Sequence, residues 1–414
     1  MYWEKLSHEQ INTRIEEALN GNLSYRKEKI LGVPASYLDE EQFYDDAPFL
    51  ENSPFLKTLI ANPNHIGCHT LGGEAEPFFK GTQKIENELI ELCAEEILGG
   101  EKGKQDGYVA PGGTEANIQA IWIYRNYFMK EFTAKSSEIA VVYSQDSHYS
   151  MPKGANILNI KSIVLDVDDT TRMIVQEDLE KKLEEAHQQG IKYFIVVMNM
   201  STTMFGSVDD INRVTETLER KNLHYKLHVD GAFGGFIYPF TNDKSSYSFK
   251  NECISSFTLD GHKMLQSPYG TGVFIIRKGF MDYALTEEAS YVQGKDYTIC
   301  GSRSGANAVA LWMILKTHGS DGLKVKMRNL TAKAASVCSQ LTKMGVEFYQ
   351  NPYLNIVTIR GKYISAHLAK KYALVPDSHN NEPDWYKIVV MDHVKKGVLD
   401  NFLIALKTEL SLKN

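Results

Sequence analysis

From Thr82 onward the apolar positions follow two alternating periods. TQKIENELIELCAEEIL sets Ile85, Leu89, Leu92 and Ile97 on one helical face, and Gly99–Gly100 ends it. Thr114 opens a second helical stretch that runs through Ile123. IAVVYS (139–144) and SIVLDV (162–167) then read as strands, and VQEDLEKKLEEAHQQG as a charged helix stopped by Gly190. YFIVVMNM (193–200) is wholly apolar, a helix follows from Asp209 to Glu219, and LHYKLHVD (223–230) is the next strand. Continuous apolar strands separated by amphipathic helices predict an α/β fold with a buried, mostly parallel sheet. In such sheets the site lies beyond the carboxyl ends of the strands.

After Gly301 the texture changes. Two helical stretches, Asn307 to Lys316 and Gly322 to Lys343, precede short strands at EFYQ, NIVTIR and YKIVVMDH (386–393), and GVLDNFLIALKTEL closes the chain as a helix. This predicts a smaller α+β unit. The first residues are punctuated by Pro34, Pro48, Pro54 and Pro63 and read as an arm that wraps a neighbour or covers a site mouth. The expected division is an arm over 1–60, a large domain over 61–310 and a small domain over 311–414.

Length agrees, since one core stops growing at roughly 250–300 residues and the chain has 414. A net charge of -7 offers no basic field for a nucleic-acid backbone. No run of 18 apolar residues suits a membrane helix, and MYWEKLSHEQ carries no signal-peptide stretch. The five cysteines are scattered without a CxxC pair, which points to reduced thiols, a cytoplasmic setting and no zinc ribbon. His65, Cys68 and His69 suggest a metal set, but Asn62–Pro63 and Gly67 break the helix that would align them and no fourth ligand is evident. No metal is expected.

The residues after the strands carry the chemistry. In APGGTEAN (110–117), two glycines and Thr114 open a helix whose N–H groups and dipole suit an anion; an ordinary tight turn is the plainer reading. His148 in SQDSHYS is placed to stack on a flat ligand, or simply to cap. Ser201, Thr202 and Thr203 follow the most apolar strand, either as ligand hydroxyls or as a helix-capping cluster. Asp230 ends its strand and needs a cationic partner, while Gly231 and Ala232 leave room for a ring. Lys263 follows SSFTLDGH, where burial favours the neutral, nucleophilic amine over an ordinary surface lysine. Each has a bland alternative; their order does not. Anion nest, stacking histidine, hydroxyl cluster, buried carboxylate and lysine are the parts a phosphorylated pyridine aldehyde requires.

GGTEAN, DSHYS, HVDGAFGGF and DGHKM resemble the motif series of the group II pyridoxal-phosphate-dependent amino-acid decarboxylases. TICGSRSGANAVALWMIL (298–315) is similar to the histidine and serine decarboxylase branch. The resemblance covers about residues 60–315 and implies the fold-type I, aspartate aminotransferase-like architecture, a pyridoxal 5′-phosphate cofactor and a homodimer. It implies that Lys263 forms the Schiff base, Asp230 pairs with the pyridinium nitrogen and His148 stacks on the ring. Gly113 and Thr114 would bind the phosphate with Thr258 and His262 nearby, and Thr203 would lie beside the ring's phenolic oxygen. Gly231 departs from the usual alanine, which implies a looser floor under the ring. Tyr291, ahead of Tyr297, is the candidate proton donor to Cα. His65, His69 and Arg303 are candidates for the substrate, and SPYGTG (267–272) for the neighbour's phosphate site. The expected reaction is decarboxylation of an amino acid to its amine. The alternatives are a carbon–carbon lyase acting on a phosphorylated amino alcohol and a non-catalytic, cofactor-binding regulator. Arg303 and the histidines at 65 and 69 suit an acidic side chain, whereas GSRSG points to histidine or serine, so the substrate stays open.

Overall fold

A computed structural model describes residues 79–285 and 294–413, the segment 54–66, and the short stretches 9–10, 13 and 29–32. His69 and Tyr291 lie outside the described residues. Helix α1 is Pro54–Ala61, and α2 is Lys80–Glu91, which widens into a π turn over Leu92–Ile97. The large unit then runs β1 (Gln105–Ala110), α3 (Gly113–Glu131), β2 (Ile139–Ser144), α4 (Ser150–Ile157), β3 (Lys161–Leu165), α5 (Gln176–Gln188), β4 (Tyr193–Asn199), α6 (Ile211–Arg220), β5 (His224–Gly231), β6 (Ile254–Asp260) and β7 (Gly272–Arg277). Helix α7 (Gly305–Lys343) leads into β8 (Phe348–Tyr349), β9 (Ile356–Arg360), α8 (Ala366–Lys371), β10 (Val375–Pro376), β11 (Trp385–Val389) and α9 (Lys396–Lys413).

The large sheet has the order β1-β7-β6-β5-β4-β2-β3. Every pairing is parallel except the two made by β7, which is antiparallel to β1 and to β6. One face carries Val196, Met198, Leu227 and Val229 against α5 and α6; the other carries Ile195, Val197, Phe274 and Ile276 against Ile121, Ile123 and Tyr124 of α3. Strands buried on both faces read as continuous apolar runs, which is why YFIVVMNM was legible. The small sheet, order β10-β11-β9-β8, is wholly antiparallel. The break foreseen between the two late helical stretches is a kink inside α7 at Gly319, whose φ is 60°.

Residues 29–32, within the segment expected to form an arm, lie on the small unit: Leu31 N–H donates to the Tyr372 carbonyl, and Val389 N–H to the Leu31 carbonyl. A stacked seam joins the two units. Arg172 sits 3.8 Å over the Phe205 ring, Phe205 meets Trp385 edge-on, and Arg360 sits 3.8 Å over Trp385. Asp169 pairs with both arginines. The seam holds β11 against the 201–207 loop after β4, where Lys387 donates to the Thr203 carbonyl at 3.0 Å.

Candidate active site

The carboxyl ends of β1, β2, β4, β5 and β6 converge on a cavity of about 930 Å³. Its walls take residues from the turn after each strand: Gly113 and Thr114, His148, Ser201 to Thr203, Asp230 and Ala232, His262 and Lys263. The topological rule selects these positions; their chemistry follows from local geometry.

Asp230 is 5% exposed. Its Oδ1 accepts from the Ala232 N–H at 3.0 Å and its Oδ2 from Asn117 Nδ2 at 3.0 Å, so both oxygens are held in place. His148 accepts at Nδ1 from the Ser150 N–H at 3.2 Å and from the Ser150 hydroxyl at 2.9 Å, which leaves its proton on Nε2. Burial lowers its pKa, opposed by the nearby Asp230 carboxylate. Lys263 Nζ lies 3.2 Å from Asp260 Oδ2, and His262 Nε2 lies 3.6 Å from the same oxygen. Burial lowers the His262 pKa too, and Tyr269 packs on its ring at 5.0 Å. Gly113 is required for close approach, because a Cβ there would sit 2.7 Å from Asp260 Oδ2.

The remaining expected residues divide. Thr203 lines the cavity, but its carbonyl is engaged by Lys387. Thr258 is fully buried below the cavity, its hydroxyl 3.2 Å from His228 Nε2, and is not on the walls. Gly231 is not a floor for a ring either: a Cβ on it would meet the Thr258 carbonyl of the neighbouring strand at 3.0 Å, and Ala232 faces the cavity instead. His65 and Arg303 stand away from the walls. Both are tied to the buried Glu86, His65 Nδ1 at 2.5 Å and Arg303 through Nη1, while the Val109 N–H donates to the same carboxylate at 2.7 Å. Tyr297 packs against the α3-side core, whereas Thr298 and Ile299 line the cavity. Tyr269 and Gly270 of SPYGTG line this chain's own cavity.

Sequence reasoning missed Asn117, His228 and Asp260, although all three lie within the quoted motifs. Strand period two puts His228 on the face of Asp230, and Asn117 follows Thr114 by three residues, one helical turn. It also missed Lys387, which no nearby motif marks.

The donor set fits a phosphorylated pyridine aldehyde. The N-terminus of the nineteen-residue α3 opens on the cavity, and Ser201 Oγ, His262 Nδ1 and Asp260 Oδ1 are buried polar atoms there without hydrogen-bond partners among the described residues. A lysine and a doubly bonded carboxylate face the same space. Bound there, pyridoxal phosphate supplies a sink for the electron pair left on Cα when carbon dioxide departs.

Residues 57–358 match the pyridoxal-dependent decarboxylase conserved domain. The chain belongs to that family. This decarboxylase is 48% identical to the tryptophan decarboxylase of Clostridium sporogenes, over 98% of its own length and 97% of the relative's. It is 31% identical to the L-aspartate decarboxylase of Thermococcus kodakarensis, over 97% of each. Among solved structures, the L-methionine decarboxylase of Streptomyces sp. 590 superposes with a TM-score of 0.77 at 19% identity, covering 97% of this decarboxylase and 95% of that chain. The sphingosine-1-phosphate lyase of Burkholderia pseudomallei gives 0.80 at 16%, covering 100% and 92%. At those identities the likeness is one of fold, so it lends the lyase alternative no weight. This decarboxylase is a pyridoxal-phosphate-dependent enzyme that converts an amino acid to its amine, on the fold-type I architecture.

Proposed function

We propose that the substrate is an aromatic L-amino acid, with tryptophan the foremost choice. The carrying observation is a set of apolar residues among the cavity's walls: Ile118, Trp122, Ile157, Leu158 and Ile299 form an apolar lobe. Burying an aromatic side chain there is worth roughly 1.5–3 kcal/mol. Among the described wall residues the basic groups are His148, His262 and Lys263, all next to Asp230 or Asp260, and Arg303 is held by Glu86. An acidic side chain therefore finds no spare cation. The 48% relative acts on tryptophan, which supports the same reading.

In this reading Lys263 carries the Schiff base, Asp230 holds the ring nitrogen protonated, and His148 lies against the ring. Gly113, Thr114 and His262 receive the phosphate, and Tyr291 delivers the proton to Cα. The arm, large and small domains take residues 1–60, 61–310 and 311–414. A second copy of the chain is the proposed cover for the mouth, because Tyr149, Ile157, Tyr269 and Ile299 all line it at 44% to 69% exposure. Free thiols at Cys93, Cys253, Cys300 and Cys338 support a cytoplasmic setting.

Carbon dioxide release from a panel of tryptophan, phenylalanine, tyrosine, aspartate, histidine and serine tests the substrate reading. Tryptophan is expected to give the highest kcat/KM, and Lys263→Ala to lose both turnover and the visible absorption of the bound cofactor. Aspartate, histidine or serine turned over faster than every aromatic acid would sink the reading.

A further inference from the structure

Beneath Asp230 runs a line of buried polar side chains that the reaction itself does not use. Tyr124, Ser256, His228 and Asn117 are each at most 1% exposed. Polar groups buried this deeply cost free energy unless every donor finds an acceptor, so the line can be read as an account of protons.

That account has one solution. The Asp230 carboxylate only accepts, so the Asn117 group 3.0 Å from its Oδ2 is the amide nitrogen. The second proton of that nitrogen goes to the Ser150 hydroxyl, also at 3.0 Å, and the Ser150 hydroxyl passes its own proton to His148 Nδ1. Asn117 Oδ1 then faces His228 Nε2 at 2.9 Å and requires a proton there, which the Thr258 hydroxyl oxygen, 3.2 Å from the same nitrogen, shares as a second acceptor. His228 Nδ1 is left to accept from the Ser256 hydroxyl at 2.7 Å, whose oxygen accepts from the Tyr124 hydroxyl at 2.5 Å. Strand register builds the line: His228 stands opposite Ser256 and Asp230 opposite Thr258 across the parallel β5–β6 pair, and α3 lays Asn117 over them.

We propose that His228, fixed as the neutral Nε2–H tautomer, sets the orientation of the Asn117 amide and through it holds both Asp230 and His148 in the states that face the cofactor. His228 is a positioning residue; it touches neither cofactor nor substrate. Burial supports its role, lowering its pKa to about 4, so it stays uncharged while the enzyme works. Burial also pushes the Tyr124 hydroxyl well above the usual range, so the head of the line remains a donor. If the Asn117 amide were reversed, its oxygen would confront the Asp230 carboxylate and its nitrogen the His228 donor, two mismatched contacts at once.

The inference rests on the reading of Asp230 as partner of the ring nitrogen, so the test includes Asp230→Ala. Holoenzymes carrying His228→Leu, His228→Gln, Asn117→Leu and the double His228→Leu/Asn117→Leu change are compared by the visible band of bound pyridoxal phosphate and by its dissociation constant. Circular dichroism and the urea midpoint report folding. His228→Leu and Asn117→Leu are each expected to move the band and weaken cofactor binding by about tenfold to a hundredfold, the worth of one hydrogen bond to a charged group. The double variant should be no worse than the poorer single one, because both cut the same line. Glutamine reaches as far as Nε2 and can donate there, so His228→Gln should stay within about twofold of the native protein. A folded His228→Leu with native band and affinity overturns the proposal, as does a folded His228→Gln as impaired as His228→Leu. A silent Asp230→Ala overturns the ring-nitrogen reading and the relay's role with it. An impaired Asp230→Ala beside a silent His228→Leu overturns the relay alone.

Discussion

Replacing Lys387 by methionine should make the protein more stable. Lys387 is 4% exposed, its amine donates to the Thr203 carbonyl, and no carboxylate pairs with it among the described residues. Burial, with the positive charge of Lys263 second, lowers its pKa from 10.5 to about 8. At about 1.4 kcal/mol per pKa unit, the fold bears a cost on the order of 3 kcal/mol for keeping this amine charged. The unfolded chain binds that proton more tightly than the native one. The cost is therefore fully present below pH 8 and is relieved as pH rises from about 8 toward 10.5, a window in which native stability increases. Methionine keeps the stem's volume and gives up one hydrogen bond worth about 1 kcal/mol, and the Thr203 residue it leaves is exposed to water. The expected gain is about 2 kcal/mol at pH 7, shrinking to nothing near pH 10. Equilibrium urea unfolding of both cofactor-free proteins, in which Lys263 keeps its free amine, measures it at the two pH values. A variant no more stable than the native protein at pH 7, or a gain of equal size at pH 10, refutes the reasoning.

Two further outcomes follow from the geometry. Glu86→Gln removes the charge that Arg303 pairs with and should destabilise the fold by about 3–5 kcal/mol, read from the urea midpoint; an unchanged midpoint would mean Arg303 is satisfied elsewhere. Trp122→Ala should lower kcat/KM for tryptophan by about tenfold to a hundredfold through lost apolar contact, with far less effect on serine, and an equal loss on both would place Trp122 outside the substrate lobe.

His148, Asp230 and Lys263 were legible because each lies at the carboxyl end of a strand or within four residues of it, and a parallel sheet gathers such positions at one edge. The turn at Gly113, which lines the cavity, was legible because glycines opening a helix are a local signal. Arg303 and His65 were misread because their partner is Glu86, which lies 217 and 21 residues away in sequence with no local mark. Thr258 and Gly231 show a different failure. Alternation along a strand fixes which face each residue takes, and applying it from Asp230 would have turned Gly231 away from the ring. Thr258 does share the face of Asp230 across the β5–β6 pair, but its hydroxyl is taken up by the buried His228, a contact between strands that no local pattern marks. Lys387 was out of reach, since only the seam between the two sheets carries β11 to the Thr203 loop.

The one reversed strand, β7, bears on how such an enzyme can change. Twelve residues after Asp260 the chain is already returning, and Gly272 pairs with Ala110 so closely that a Cβ on it would strike the Gly112 backbone at 2.6 Å. The turn bearing Lys263 and the turn bearing Gly113 are thus stitched together through Gly272, which pairs with Ala110 of β1 on one side and with Asp260 of β6 on the other. Neither can drift without the other. Of the apolar lobe, Ile118 and Trp122 ride on the helix that Gly113 opens, while Ile157, Leu158 and Ile299 lie on segments that no such ladder binds to the lysine. Substrate choice can therefore be rewritten on one side of the cavity while the cofactor's moorings are inherited intact, and a redesign for a new amino acid should begin at Ile157, Leu158 and Ile299 and leave β1, β6 and β7 alone.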